Sequence, residues 1–146
     1  MEDQANMYPE IMIVPMREEL LQLGVEELRT SSDVDQFLKR SGVSMVVVNS
    51  VCGCAAGRMR PAVRIALENG VRPEHIGSVF AGQDRDATQQ ARSYFQEYPP
   101  SSPSIAILRD GQVVHMMQRS DIEHRDAHDI AGELARVFNQ HCGTTV

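Results

Sequence analysis

The chain reads as an α/β protein, a mixed β-sheet flanked by helices with an extra helix at the N-terminus. Three observations predict this. Apolar runs suited to strands alternate with helical patterns, in the order helix, then β-α-β-α-β-α-β-β-α. The run Met45-Val46-Val47-Val48 is continuously apolar, as expected of a central strand covered on both faces. Asp110-Gly111 lies between two apolar runs, a two-residue hairpin signal that adds an antiparallel pair to the parallel crossovers.

Each element has a local reason. Residues 15–23 suit a helix, with Pro15 in its first turn and Gly24 at its end. Residues 25–29 suit a short strand. Ser31 or Ser32 can cap a second helix whose Val34, Phe37 and Leu38 share a face, with Gly42 closing it. Residues 45–49 form the central strand, in which Asn49 is the polar side chain. The next helix, residues 55–68, presents Ala55, Met59, Ala62 or Val63, Ala66 and Leu67 on one face. Pro61 interrupts it, because its missing N–H would have bonded the Gly57 carbonyl.

Residues 76–81 follow as a strand. Asp84 stands at the N-cap of the next helix, with Asp86 in its first turn and Ala87, Ala91 and Tyr94 or Phe95 on its apolar face. A loop dense in proline, residues 98–104, leads into a strand at 104–108 and its return at 113–118. Ser120-Asp121-Ile122-Glu123 has capping-box spacing, and a last helix runs close to Gln140 through Ile130, Leu134 and Phe138.

Bulk properties bound the function. One domain over residues 1–146 is expected, with an ordered core of about 8–142 and short tails at both ends. With 14 Lys and Arg against 20 Asp and Glu, the net charge is −6, which argues against nucleic acid as a partner. No run is long and apolar enough to span a membrane, and the opening Met1-Glu2-Asp3-Gln4 is acidic where a secretory signal would be basic. Three cysteines, two of them adjacent but for one residue, do not make an extracellular disulfide framework. A cytoplasmic protein is expected.

Cys52-Gly53-Cys54 lies where the central strand meets its helix. A thiol there faces helix N–H groups without intrahelical partners and the positive end of the dipole, both of which favour the nucleophilic thiolate. Cys52 is the expected attacker. Cys54 is the expected resolving thiol, unless a second small thiol resolves the intermediate. Gly53 eases the backbone geometry of an i, i+2 disulfide, a very small ring expected to be strained and easily reduced. A thiol motif after the second strand and a proline loop before the penultimate one give a thioredoxin-like architecture.

The sequence resembles the bacilliredoxins. The resemblance rests on the run from Val46 through Cys52-Gly53-Cys54 to Gly57, on Val79-Phe80-Ala81-Gly82-Gln83-Asp84, on Pro99-Pro100-Ser101-Ser102-Pro103-Ser104 and on Val14-Pro15-Met16-Arg17. It extends from about Tyr8 to Cys142. It implies removal of bacillithiol from mixed disulfides on cytosolic proteins, with disulfide isomerase activity also proposed for the family. No bound cofactor or metal is implied; bacillithiol or another low-molecular-weight thiol is the co-substrate. It departs from a thioredoxin in having one residue between the cysteines and no carboxylate in the strand before them. The thioredoxin-like frame also implies a cis Ser102–Pro103 bond beside the cysteines, with Ser102 presenting backbone to substrate.

Other residues have a functional and a plainer reading. Arg58 and Arg60 could lower a thiol pKa or bind the carboxylates of a small acidic thiol; a solvated helix face is the plainer account. Gln83 and Asp84 end a strand on the side where ligands bind in open α/β sheets, although capping alone explains Asp84. Cys142, beside His141, could be an additional resolving thiol or a tail cysteine resting on the domain. His75, His115, His124 and His128 read as surface histidines. Two competing functions remain, a metal-binding protein using Cys52, Cys54, His141 and Cys142, and a redox-sensing interaction module.

Overall fold

The computed structural model describes residues 8–142. In chain order it contains α1 (Glu10–Leu21), β1 (Glu26–Glu27), α2 (Ser31–Leu38) and β2 (Val43–Asn49). A π-helical turn (Ala55–Met59) then runs into α3 (Arg60–Ala66), followed by β3 (His75–Phe80) and α4 (Arg85–Ser93). The chain finishes with β4 (Ser104–Arg109), β5 (Gln112–Met117), a single turn α5 (Arg119–Ile122) and α6 (Ala127–His141).

The five strands lie in the order β1-β3-β2-β4-β5. β1 and β2 are parallel to β3, while β4 is antiparallel to both β2 and β5. This is the mixed sheet of the thioredoxin-like architecture. β2 is buried along its whole length, and its period-2 alternation divides the core. Met45 and Val47 face a cluster with Met59 from the π-helical turn, Val63 from α3, and Leu134 and Phe138 from α6. Val46 and Val48 face Val34, Phe37, Ala87 and Ala91 from α2 and α4. Gly77 in β3 sits under the second cluster, where a Cβ would come within 2.9 Å of Leu28 and 3.1 Å of the Phe37 ring. The turn between β4 and β5 has positive φ at both Asp110 (49°) and Gly111 (82°), as the Asp-Gly signal requires.

Several element ends differ from the sequence reading. α1 starts at Glu10, with Pro9 at its N-cap, so Pro15 lies inside the helix. Pro15 and Ile11 are both exposed, and solvent can serve the Ile11 carbonyl that loses its donor. The strand expected over 25–29 pairs only at Glu26 and Glu27, because it is a sheet edge beside β3 alone. Thr30, not Ser31 or Ser32, caps α2: its hydroxyl accepts from the Asp33 N–H at 3.0 Å, and the Asp33 carboxylate accepts from the Thr30 N–H at 3.2 Å. The capping box before the last turn starts at Gln118, whose N–H donates to Asp121, rather than at Ser120. The interruption at Pro61 takes the form of the π-helical turn.

Asp84 is a larger correction. It occupies the N-cap position of α4, but its side chain makes no capping hydrogen bond. Its carboxylate instead accepts from Arg17 at 2.7 and 3.1 Å. Arg17 is only 6% exposed; it also donates to Glu10 at 2.7 Å and lies 5.3 Å from the centre of the Phe80 ring. Burial works against this guanidinium, but Asp84 and Glu10 outweigh it and hold it firmly charged. The cluster fastens α1 to the start of α4.

Candidate active site

β2 ends at Asn49, and the chain passes through Ser50 and Val51 to Cys52 before turning helical at Gly53. Three polar side chains shape this junction. The Asn49 Oδ1 accepts from the Ser50 N–H (2.9 Å) and from Arg60 Nη1 (2.9 Å), while its Nδ2 donates to the Met16 carbonyl (3.2 Å). Arg60 Nη1 also donates to the Ser50 carbonyl at 3.0 Å, and its Nε donates to Glu19 at 2.7 Å. The Ser50 hydroxyl donates to Cys52 Sγ at 3.3 Å and accepts from the Cys52 N–H at 3.3 Å. One buried arginine thus braces the loop whose serine touches the thiol.

The thiols of Cys52, Cys54 and Cys142 are unbonded and partly buried. At Cys52 burial pushes the pKa up, yet the donors prevail. The Ser50 hydroxyl, the backbone N–H groups of Ala55 and Cys54 and the charge of Arg119 together hold it below the ordinary cysteine value. Arg119 opens α5, with Nη2 4.0 Å from Cys54 Sγ and Nη1 donating to the Ser102 carbonyl at 3.3 Å.

The Ser102–Pro103 peptide bond is cis. The loop around it is held from several sides. Arg92 donates to the Ser101 carbonyl at 3.1 Å, the Arg119 N–H to Ser101 Oγ at 3.2 Å, and Gln118 to the Pro99 carbonyl at 2.9 Å. Cys52, Ser50, Ser102, Tyr8, Arg92 and Arg119 all line one open cavity of about 320 Å³. A thiol whose pKa is lowered opens on a cleft, with a second thiol two residues away. Such a site can attack a disulfide sulfur and then release what it captured.

A family model described as Disulphide isomerase matches residues 8–142. A bacilliredoxin of Koribacter versatilis is 59% identical over 140 residues, covering 95% of this chain and 97% of that protein. The chain belongs to the bacilliredoxin family. A bacilliredoxin of Geobacillus kaustophilus is 48% identical over 93% of this chain and 95% of its own length, and one of Staphylococcus aureus is 44% identical over 94% of both. Among solved structures, a thioredoxin variant of Halobacterium salinarum superposes with a TM-score of 0.55 at 15% identity, covering 83% of this chain and 93% of that one. The thioredoxin of Fasciola hepatica gives 0.53 at 16% identity, covering 80% and 99%. These structures share the thioredoxin fold, and with the bacilliredoxin kinship they make the chain a thiol–disulfide oxidoreductase.

The structure gathers Cys52, Cys54, Ser102 and Pro103 at one place and reassigns the other expected residues. Arg60 is 3% exposed and saturated by Asn49, Ser50 and Glu19, so it is neither a solvated residue nor free to bind a substrate. Arg58 donates to the Arg125 carbonyl at 2.7 Å and ties the π-helical turn to the segment before α6. Gln83 is 3% exposed; its amide donates to the Tyr8 carbonyl at 2.7 Å and accepts from the Tyr8 N–H at 3.2 Å. It secures the start of the described chain rather than facing substrate. Gly53 is exposed, lacks a left-handed φ and has nothing within 4 Å of a Cβ position, so the reduced form does not itself demand glycine.

Cys142 lies beside Arg109 and Glu74. Arg109 pairs with Val43, and Glu74 accepts from the Val43 N–H, both at the opposite end of β2 from Cys52. Seven residues of strand separate them, roughly 20 Å, so Cys142 is not a resolving thiol for Cys52. Among the described residues no group of three His, Cys, Asp or Glu is placed to hold a metal, which leaves the metal-binding alternative without a ligand set. His115 is also not a solvated histidine: it is paired with Glu133 at 2.7 Å.

Ser50, Arg92 and Arg119 were missed as site residues. Ser50 carried a local signal, a serine two residues before the thiol in a turn. Arg92 lies four residues after buried Thr88, hence on the inward face of α4. Arg119 carried none, since only the return of β5 brings it to the cysteines.

Proposed function

We propose that the chain removes a low-molecular-weight thiol, bacillithiol where the cell makes it, from mixed disulfides on cytosolic proteins. The observation that carries this reading is Cys52: its thiol is held below the ordinary pKa by Ser50, two N–H groups and Arg119, and it opens on a cleft with Cys54 two residues away. The Cys52 thiolate attacks the sulfur of the small thiol in the mixed disulfide. The bond between target and cap breaks, the target leaves as its thiolate, and the cap is now bonded to Cys52. The Cys54 thiolate then attacks Cys52 Sγ and expels the cap, leaving a Cys52–Cys54 disulfide. Electrons balance without a bound cofactor; the small thiol is a co-substrate, and an external thiol reduces the pair for the next turn. Among the described residues no helix is long and apolar enough to cross a membrane.

Intact-mass spectrometry after mixing with a bacillithiolated protein tests the reading. The cap is expected to pass to Cys52 and to remain there as an adduct in Cys54→Ala. Absence of transfer to Cys52 would overturn it. A protein that only senses redox state would show partner binding that depends on oxidation, without turnover. The small ring of the Cys52–Cys54 bridge leads us to expect a potential above the roughly −270 mV of thioredoxin, so that the pair exchanges rather than strongly reduces. Equilibration with glutathione buffers gives the value.

A further inference from the structure

The cleft in front of Cys52 carries charge opposite to the chain's. The protein has a net charge of −6, yet among the described residues no carboxylate lines the 320 Å³ cavity, while Arg92 and Arg119 do, Arg119 being paired with Glu123 at 3.0 Å. A second cavity of about 380 Å³ shares Gly82 and Arg92 with the first. Arg85 lines it and, among the described residues, no carboxylate does.

Arg92 is the unusual member. It is half-buried, and burial alone pulls its pKa below the ordinary guanidinium value. One contact, to the Ser101 carbonyl, uses one of its five N–H donors. Its Nε is buried and has no hydrogen-bond partner among the described residues. The other buried arginines differ. Arg17 is met by Glu10, Glu27 and Asp84, and Arg60 by Glu19, Asn49 and the Ser50 carbonyl. A desolvated cation whose acceptor is a single neutral carbonyl is costly unless something supplies an anion. Arg92 lines the wall of the cavity onto which the nucleophile opens.

We propose that Arg92 is a specificity residue: it binds a carboxylate on the small thiol that Cys52 takes from a mixed disulfide, with Arg119 adding positive charge on the cysteine side. This rests on the thiol-transfer reading and assigns the residue by which the cleft reads the charge of the cap. The ligand supplies an anion for the Arg92 donors that the Ser101 carbonyl leaves unused, in a cleft that screens the pair less than open water does. Bond changes are those of the first transfer step: the target–cap disulfide breaks, the Cys52–cap disulfide forms, and the target departs as thiolate. The carboxylate keeps its charge throughout and only orients the cap. The same two arginines hold the Ser101 and Ser102 carbonyls, so binding the cap and presenting the proline loop are linked.

The test compares caps. One model protein with a single cysteine is capped with 3-mercaptopropionate (anionic), 2-mercaptoethanol (neutral) or cysteamine (cationic). Adduct formation on Cys52 is timed by intact mass in the Cys54→Ala background, and each rate is normalised to that of the same disulfide with a free neutral thiol. The anionic cap is expected to be favoured over the neutral one by roughly tenfold and over the cationic one by more. Arg92→Gln is expected to remove most of that preference, Arg92→Lys to keep much of it, and Arg136→Gln, an equal charge change on the exposed side of α6, to leave it in place. Equal normalised rates for the three caps, or a preference that survives Arg92→Gln, would overturn the assignment of Arg92 while leaving the thiol-transfer function standing. Failure of all three caps to reach Cys52 would overturn both.

Discussion

Cys52 and Cys142 are the same residue type, both partly buried, and their surroundings move them in opposite directions. Cys52 sits before the N-terminal end of a helix and receives donors from Ser50, Ala55, Cys54 and the Arg119 charge, which outweigh its burial. Cys142 is the C-cap of α6, at the negative end of the helix dipole. Burial pushes it up, the Arg109 charge opposes that in part, and Glu74 adds a smaller upward push. Partial burial therefore does not decide reactivity in this protein. The decisive difference is whether hydrogen-bond donors meet the sulfur, as they do at Cys52, or burial goes unopposed by any, as at Cys142.

The sharpest way to break this contrast is to remove each thiol in turn. Cys52→Ser is expected to abolish transfer of a small-thiol cap, read by intact mass, whereas Cys142→Ser changes its rate by less than about twofold, since that sulfur is roughly 20 Å away. Comparable losses in the two variants would sink the contrast. Next, Arg60→Met leaves the Asn49 oxygen, the Ser50 carbonyl and Glu19 without their shared donor. A loss of about 2–4 kcal/mol in urea unfolding is expected, with slower alkylation of Cys52 and little change at Cys142.

In the reduced protein at pH 7, iodoacetamide should label Cys52 at least about tenfold faster than Cys142, measured by peptide mass. The pH profiles carry the sign. Donors favour the Cys52 thiolate, so its labelling rate should level off below the ordinary thiol pKa; burial disfavours the Cys142 thiolate, so its rate should still be climbing there. Ser50→Ala removes the O–H donor to Cys52, raises that pKa and should slow labelling roughly three- to tenfold at pH 7 without affecting Cys142. An unchanged Cys52 profile would mean the backbone N–H groups and Arg119 suffice. Gly53→Ala should have the smallest effect on the reduced fold, within about 1 kcal/mol and stabilising if anything, because no atom opposes a Cβ there. A larger loss would show that the reduced form needs glycine after all.

Much of the site was legible because its central members are local in sequence. A strand that is apolar throughout, a one-residue gap between two cysteines and a helix after them fix where Cys52 and Cys54 stand. The proline loop was legible for a different reason, its place in the element order. What failed was the assignment of arginines. Arg58 and Arg60 follow the cysteines closely in sequence, and nearness along the chain suggested nearness to the substrate. Helix rotation instead turns Arg60 inward onto Asn49 and Ser50, while Arg58 reaches the Arg125 carbonyl. The cations that line the cleft come from α4 and from the start of α5, 40 and 67 residues after Cys52.

Gln83 and Asp84 show the same limit. Their position after a strand suggested a ligand site and a cap, and the structure spends both on holding Tyr8 and Arg17. An N-terminal helix packed across the sheet claims polar groups that would otherwise face solvent, and no local pattern shows where that helix will dock.

The sequence by itself determined the order of elements, the central strand, the Asp-Gly hairpin and the placing of Cys52 and Cys54 at a strand–helix junction. Those follow from periodicity and backbone preference, which act over a few residues. Only the tertiary structure decided which donors reach the Cys52 sulfur, which arginines are saturated and which one keeps a buried Nε without a partner among the described residues. Charge and hydrogen-bond partners are set by distance in space, and the chain brings Arg92, Ser102 and Arg119 to Cys52 only after the sheet has closed.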